Sequence, residues 1–99
     1  MTATELCARI KRTQPYLPVD RIVCADGFAM SVQAGEGIYS EPRNDAGPWT
    51  TVEVGFPTER EDSLMEWCET PESPTATVYG YVPIEVVLSV IERHGGVAS

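Results

Sequence analysis

The chain has 99 residues, which predicts one domain with a modest core, because chains of this size bury roughly two-thirds of the surface exposed on unfolding. A hydrophobic content of 42% without an apolar run near the roughly 18 residues of a membrane span excludes a membrane-spanning protein. The net charge is −8, with four basic against two acidic residues in positions 1–22 and three against thirteen in positions 23–99. Such an acidic body repels phosphates, so we expect no direct nucleic-acid binding.

The N-terminal segment predicts a short helix with Thr4 as its cap, ended by Pro15 and Pro18. We expect residues 1–18 to form a loosely attached arm and residues 19–99 to form a single α+β domain. The segment has no apolar signal-peptide core. Cys7, Cys24 and Cys68 lack C-x-x-C spacing, which favours reduced thiols and a cytosolic protein without a metal site.

A β-hairpin is the clearest local prediction in the first half of the chain. Residues 19–25 are typical of a strand, and Asp26-Gly27 supplies the dipeptide of a tight turn. Apolar residues then occupy alternate positions from Phe28 to Ala34, the pattern of a strand with one core face.

The composition of residues 38–40 is compatible with a short strand, and that of residues 42–48 predicts a loop. A further strand is predicted after this loop. Over residues 49–56, Val52, Val54 and Phe56 share one face of the strand, and Trp49 lies on the other.

Two helices and one more strand complete the predicted domain. Thr58 and Glu61 fit a capping box that begins the first helix, and Pro83 suits the first position of the last. Residues 75–81 are typical of a strand with Tyr79 and Tyr81 on one side. The fold predicted is an antiparallel sheet of four to five strands with two helices packed on one face.

The segment between Tyr39 and Phe56 is the nearest feature to a recognition site. Arg43 pairs well with phosphate or carboxylate, Asn44 can read an amide or base edge, and Tyr39 and Trp49 can stack on a base. Phe56 ends its strand close to the predicted helix start, itself a potential anion site. In the alternative interpretation, Arg43 pairs with Glu41 or Asp45, and Trp49 covers the sheet.

The acidic residues around the first predicted helix form a second candidate surface. A solvated helix face is the default interpretation, and a surface that faces a protein partner is the alternative. The residues concerned are Glu59, Glu61, Asp62 and Glu66. We expect no enzyme, because no nucleophile lies beside a base and His94 is predicted to cap the last helix.

Several segments together resemble a family of small phage and prophage proteins. The resemblance rests on residues 20–34 (DRIVCADGFAMSVQA), 52–57 (VEVGFP), 77–83 (TVYGYVP) and 94–96 (HGG), with Tyr39, Pro42-Arg43 and Gly47-Pro48 between them. It covers about three-quarters of the chain. Small phage proteins of this kind are commonly anti-defence factors, so the resemblance implies a cytoplasmic location in the infected bacterial host.

The chain is similar in size and plan to signal sponges of the Thoeris anti-defence type, which bind a cyclic ADP-ribose-like immune signal without cleaving it. This resemblance implies that Tyr39, Trp49 and Phe56 enclose base and ribose, that Arg43 and Arg93 meet phosphate, and that Asn44 gives specificity. It implies no cofactor and a homo-oligomer that brings further arginines, such as Arg9 or Arg21, to the site.

The alternative function is an acidic inhibitor of anti-CRISPR type. Its face of Glu59, Glu61, Asp62 and Glu66 would occupy the nucleic-acid channel of a basic host defence protein.

Overall fold

The computed structural model describes all 99 residues and has a four-stranded antiparallel sheet at its centre, in the order β1-β2-β3-β4. The strands are β1 (Ile22–Val23), β2 (Ala29–Gln33), β3 (Thr51–Gly55) and β4 (Val78–Pro83). The helices are α1 (Ala3–Ile10), a six-residue 3-10 helix (Asp62–Trp67) and α2 (Ile84–Arg93). The predicted α+β class with an antiparallel sheet is therefore confirmed. None of the helices has the length and apolar character needed to cross a membrane.

The predicted hairpin is confirmed in its turn and its pairing. Ile22 pairs with Met30 across β1 and β2, and Gly27 takes the left-handed conformation at a φ of 94°. The Asp26 carboxylate accepts a hydrogen bond from the backbone N–H of Phe28 at 2.9 Å, which closes the turn. The apolar face predicted from Phe28 to Ala34 is buried and forms part of the core.

The N-terminal segment is part of the core, contrary to the prediction of a loosely attached arm. Thr2, and not Thr4, caps α1 in a capping box with Glu5. One face of α1 buries Leu6 and Ile10 almost completely against the rest of the protein. The amphipathic spacing i, i+4 places both side chains on that face, so the helix is held by burial of apolar surface.

The predicted first helix of the domain is present only as the 3-10 helix, and Thr58 does not act as its cap. The Thr58 backbone N–H donates to the Ala29 carbonyl at 2.9 Å, and its hydroxyl accepts from the Ala29 N–H at 3.1 Å. These bonds attach the segment to β2. Glu61 takes the capping position instead, with its carboxylate accepting from the Ser63 N–H.

A β-bulge separates the two tyrosines of β4, which were predicted to share one side of the strand. Val52 pairs with Val82, but Val54 pairs with Tyr79, so Gly80 and Tyr81 together lie opposite a single residue of β3. The extra residue reverses the side-chain alternation. Tyr79 is fully buried, whereas Tyr81 is 41% exposed and has a φ of 55°.

The C-terminal residues cover the edge of the sheet. Cys24 forms an antiparallel bridge with Val97, and the Ala98 N–H donates to the Val23 carbonyl at 2.7 Å. This pairing satisfies backbone groups of β1 that an edge strand would otherwise leave exposed.

Candidate functional site

Trp49, predicted to stack on a ligand, belongs to the core. It is 3% exposed, and its indole Nε1–H donates to the Asn44 carbonyl at 3.0 Å. The Trp49 backbone N–H points at the Cys7 sulfur at 3.4 Å, which joins it to α1. The indole therefore has no face free for a ligand, as in the alternative interpretation that gave Trp49 a structural role.

Asn44 organises the loop that carries Arg43. Its side-chain Oδ1 accepts hydrogen bonds from the backbone N–H groups of Ala46 and Gly47, both at 3.0 Å. An Asn that bonds its own downstream backbone in this way builds a turn. The acceptor oxygen predicted to read a ligand is thus occupied by the loop itself.

Phe56 and Arg93 lie apart from Tyr39 and Arg43. Tyr39 contacts β3 at Glu53, and Phe56 follows three residues later, about 10 Å farther along the strand. The Arg93 guanidinium donates to the Glu61 carboxylate and to the Ser63 hydroxyl, each at 2.8 Å. The six residues predicted as one ligand site are therefore distributed over the core, the loop and two separate surfaces.

Tyr39, Arg43 and Tyr81 form an exposed group that we call the tyrosine surface. The Arg43 guanidinium carbon lies 5.7 Å from the centroid of the Tyr39 ring, within the range of a cation–π contact. The Tyr39 and Tyr81 rings have centroids 5.7 Å apart and are inclined by 31°. Each tyrosine is 41% exposed. Arg43 makes no ion pair, since Asp45 is bound by Arg12 instead, and so its charge is available to a partner.

The backbone holds the two tyrosines in a fixed arrangement. The Tyr81 N–H donates to the Tyr39 carbonyl at 3.0 Å, and the Tyr39 N–H donates to the Glu53 carboxylate at 3.1 Å. Gly80 makes room for Tyr39, because a Cβ at Gly80 would lie 3.3 Å from the Tyr39 Cβ. The positive φ of Tyr81 costs roughly 1–2 kcal/mol for a residue with a Cβ. The Tyr81 ring is therefore exposed at a cost in backbone strain.

Tyr81 is the member of this surface that the site prediction missed. Its register depends on the bulge, which the alternation of side chains along residues 75–81 does not reveal. The one available signal is Gly80, because a glycine inside a strand often marks a bulge or a close backbone approach.

A second polar cluster surrounds His94 at the end of α2. Its Nδ1 lies 2.6 Å from the Asp26 carboxylate and its Nε2 lies 3.0 Å from the Glu61 carboxylate. The imidazole stacks on Phe28 with centroids 4.1 Å apart. The side chain thus connects the hairpin turn with the 3-10 helix instead of capping α2, which His94 ends through its backbone N–H.

The pKa values of this cluster follow from its contacts. Burial acts to lower the pKa of His94, but hydrogen bonds to Asp26 and Glu61 outweigh it and raise the pKa above the ordinary value. The backbone N–H of Phe28 and then the His94 side chain lower the pKa of Asp26. Burial opposes ionisation of Glu61, but bonds from His94, Ser63 and Arg93 leave its pKa lowered. Both imidazole nitrogens are occupied, which makes His94 a structural bridge.

The predicted acidic face is only partly free. Glu61 is bound by Arg93 and His94, and the exposed side chains of Asp62 and Arg60 pair with each other at 2.8 Å. Glu59 and Glu66 are exposed and make no ion pair. The four residues therefore do not present one continuous set of unpaired carboxylates.

The tyrosine surface lies in the open, because none of the four clefts in the structure is lined by Tyr39, Arg43 or Tyr81. No protein-family model, curated protein sequence or solved structure matches the chain.

Proposed function

We propose that this chain is a non-enzymatic inhibitor that binds a basic protein of a bacterial defence complex through the tyrosine surface. The observation that carries the proposal is the pair Tyr39 and Tyr81, whose rings are exposed, in contact and fixed by backbone hydrogen bonds without an enclosing cleft, with Tyr81 held at a strained φ. Strained residues that the surrounding structure keeps in place are concentrated at functional sites.

The chemistry of the surface suits a protein partner better than a small molecule. Tyrosine and arginine dominate the binding energy of protein interfaces, because they bury large area and keep a polar end. Sites for small ligands are concave and bury most of the ligand. A pair of tilted rings on an open surface offers a small molecule one side only, whereas a flat protein surface can cover both rings and Arg43.

The charge of the protein favours a basic partner. The net charge is −8. The Glu53 carboxylate accepts from the Tyr39 N–H, and Glu41 follows Tyr39 by two residues in the chain. An acidic rim around an aromatic centre steers a basic partner and increases the association rate. The resemblance to small phage anti-defence proteins supports a defence complex as the target.

The non-enzymatic assignment is supported by the state of the groups that would otherwise react. Both nitrogens of His94 are bound by carboxylates. Burial, together with the nearby Asp26 charge, raises the pKa of the Cys24 thiol and disfavours the reactive thiolate. These groups serve the fold.

A signal sponge is the second candidate, and the unpaired Arg43 on the Tyr39 ring favours it. This arrangement can stack on a base or meet a phosphate of a cyclic ADP-ribose-like ligand. An open surface of one chain buries too little of such a ligand, so this function requires a homo-oligomer in which a second copy closes the site.

The test uses one variant with both tyrosines changed, Tyr39→Ala with Tyr81→Asn, and Phe56→Ala as the matched control. Phe56 is a comparable exposed aromatic, 50% exposed at a φ of 50°, away from the tyrosine surface. Affinity capture from host lysate should recover a partner with the native chain and with Phe56→Ala, and should lose it with the double variant. Equal recovery by all three proteins would refute the proposal.

Isothermal titration with cyclic ADP-ribose isomers and cyclic dinucleotides distinguishes the two candidates. Nanomolar binding with release of intact ligand on heating would establish the sponge and displace the protein-binding proposal. Without such binding, a captured partner that depends on the tyrosine surface supports the inhibitor.

A further inference from the structure

A second surface lies on the N-terminal segment, away from the tyrosine surface. Between the end of α1 and the loop that precedes β1 there is an open cleft of about 490 Å³. Its lining includes the cationic Arg9 and Lys11, the polar Gln14 and the apolar Leu17 and Val19. Leu17 is 54% exposed and contributes apolar surface to the cleft.

The cleft has a charge opposite to that of the protein as a whole. Positions 1–22 carry a net charge of +2, against −10 for the remainder. Arg9 and Lys11 are exposed and make no ion pair. In contrast, Arg12, Arg60 and Arg93 are each paired with a carboxylate. Arg21 and Arg43 also make no ion pair, so the distinguishing feature of this cleft is that two unpaired cations line it.

The walls of the cleft are fixed by buried polar contacts. The Gln33 side chain, only 8% exposed, accepts from the Val19 N–H and donates to the Val19 carbonyl, both at 2.9 Å. On the other side, the Arg12 guanidinium is bound to the Asp45 carboxylate and to the Glu36 carbonyl. The pKa of Asp45 is lowered first by the hydrogen bond from Arg12 and then by one from the Glu36 backbone N–H. The loop is thus anchored at both ends, and a partner would meet a preformed site.

We propose that this cleft binds an acidic peptide segment of a partner protein, with Arg9 and Lys11 meeting carboxylates and Leu17 meeting an apolar side chain. A peptide fits the combination of two cations with exposed apolar surface. Nucleic acid fits poorly, because its continuous phosphates would extend beyond the two cations onto the acidic body of the protein. The protein would then bind the basic surface of a partner at the tyrosine surface and an acidic peptide segment at the cleft.

The experiment measures binding of a fluorescein-labelled peptide of alternating glutamate and leucine by fluorescence anisotropy. Arg9→Glu with Lys11→Glu should weaken binding at least tenfold, and Leu17→Asn should weaken it severalfold. The matched control is Arg21→Glu with Arg60→Glu, which changes the net charge equally at exposed positions outside the cleft and outside the tyrosine surface. It should bind within twofold of the native chain. Circular dichroism establishes that all variants are folded, as expected for exposed positions.

Several results would overturn the assignment. Equal weakening in the two charge-reversed pairs would show a general effect of net charge. Equal binding of a peptide with glutamine in place of glutamate would remove the role of the cations. Tighter binding of a single-stranded oligonucleotide than of the acidic peptide would show that the cleft binds nucleic acid and not an acidic peptide. Each of these outcomes is independent of the tyrosine surface, so the proposed function stands or falls separately.

Discussion

Leu6→Ala tests whether α1 is an integral part of the fold. The Leu6 side chain is fully buried and belongs to the same core cluster as residues of the sheet and α2. Removing buried methyl groups costs the lost transfer free energy and leaves a cavity that the surroundings fill only in part. A loosely attached arm would not transmit this cost to the rest of the protein.

The magnitude follows from the position of the helix. Leucine-to-alanine changes in cores cost about 2.7–5 kcal/mol, and the lower part of that range applies where the surroundings can relax. α1 has only eight residues, so its surroundings can relax in part, and we expect a loss of about 3 kcal/mol. A domain of this size loses roughly 4–8 °C in Tm per kcal/mol, which gives a decrease of roughly 12–24 °C.

The assay is urea unfolding followed by circular dichroism and tryptophan fluorescence. Trp49 contacts Cys7 of α1, and its fluorescence therefore reports detachment of the helix. Thr4→Ala is the control, because Thr4 is exposed on the same helix and alanine has a higher helix propensity than threonine. The control should unfold at the native urea concentration or slightly above it.

Hydrogen exchange distinguishes global from local loss. If α1 detaches before the rest unfolds, Leu6→Ala should lower protection selectively over residues 3–10. A change below about 0.5 kcal/mol in unfolding free energy, together with native protection of those residues, would refute the conclusion that burial holds the helix.

Three further predictions concern the surfaces and the His94 cluster. The raised pKa of His94 means that its contribution to stability is complete below the ordinary value of 6.5 and is lost as the pH rises through the folded value. The pKa values of Asp26 and Glu61 are lowered, so the contribution of these carboxylates to stability is lost as the pH falls below about 4.5. The unfolding free energy should therefore decrease between pH 5.5 and pH 8, and this decrease should be smaller in His94→Gln than in the native chain. An equal decrease in both proteins would contradict the role of His94 as a bridge. Gly80→Val should displace Tyr39 and reduce partner binding at least tenfold. Gly55→Ala is the control and should bind the partner with near-native affinity, because a Cβ at Gly55 makes only ordinary van der Waals contacts. Tyr81→Asn should leave the unfolding free energy within about 1 kcal/mol of native, since asparagine tolerates a positive φ, while partner binding is lost. A large loss of stability would mean that Tyr81 serves the fold.

Local chemistry made several elements predictable from the sequence. Asp26-Gly27 specifies its turn through the φ that glycine permits, and the period-two pattern from Phe28 to Ala34 specifies the core face of β2. Pro83 and Gly95 mark the two ends of α2. In each case the decisive interactions lie within a few residues.

The capping prediction at Thr58 shows why other elements were not predictable. Its hydroxyl can accept from a helix N-terminus or from any donor that the fold brings near, and the fold brings the Ala29 N–H. The same holds for Arg43 and Asp45: their proximity in sequence predicts a pair, but Arg12 reaches Asp45 from a distant part of the chain.

The candidate site was decided almost wholly by tertiary structure. The sequence determined that an arginine and several aromatics are present on an acidic chain, and from these we predicted a binding function. Whether an aromatic ring is exposed depends on packing and register, and a single extra residue in β4 buries Tyr79 and exposes Tyr81. Phe56 was predicted to share a face with Val52 and Val54, but it is exposed, whereas Trp49 is buried in the core. Hydrophobicity specifies that some large side chains must be buried, and only long-range pairing specifies which.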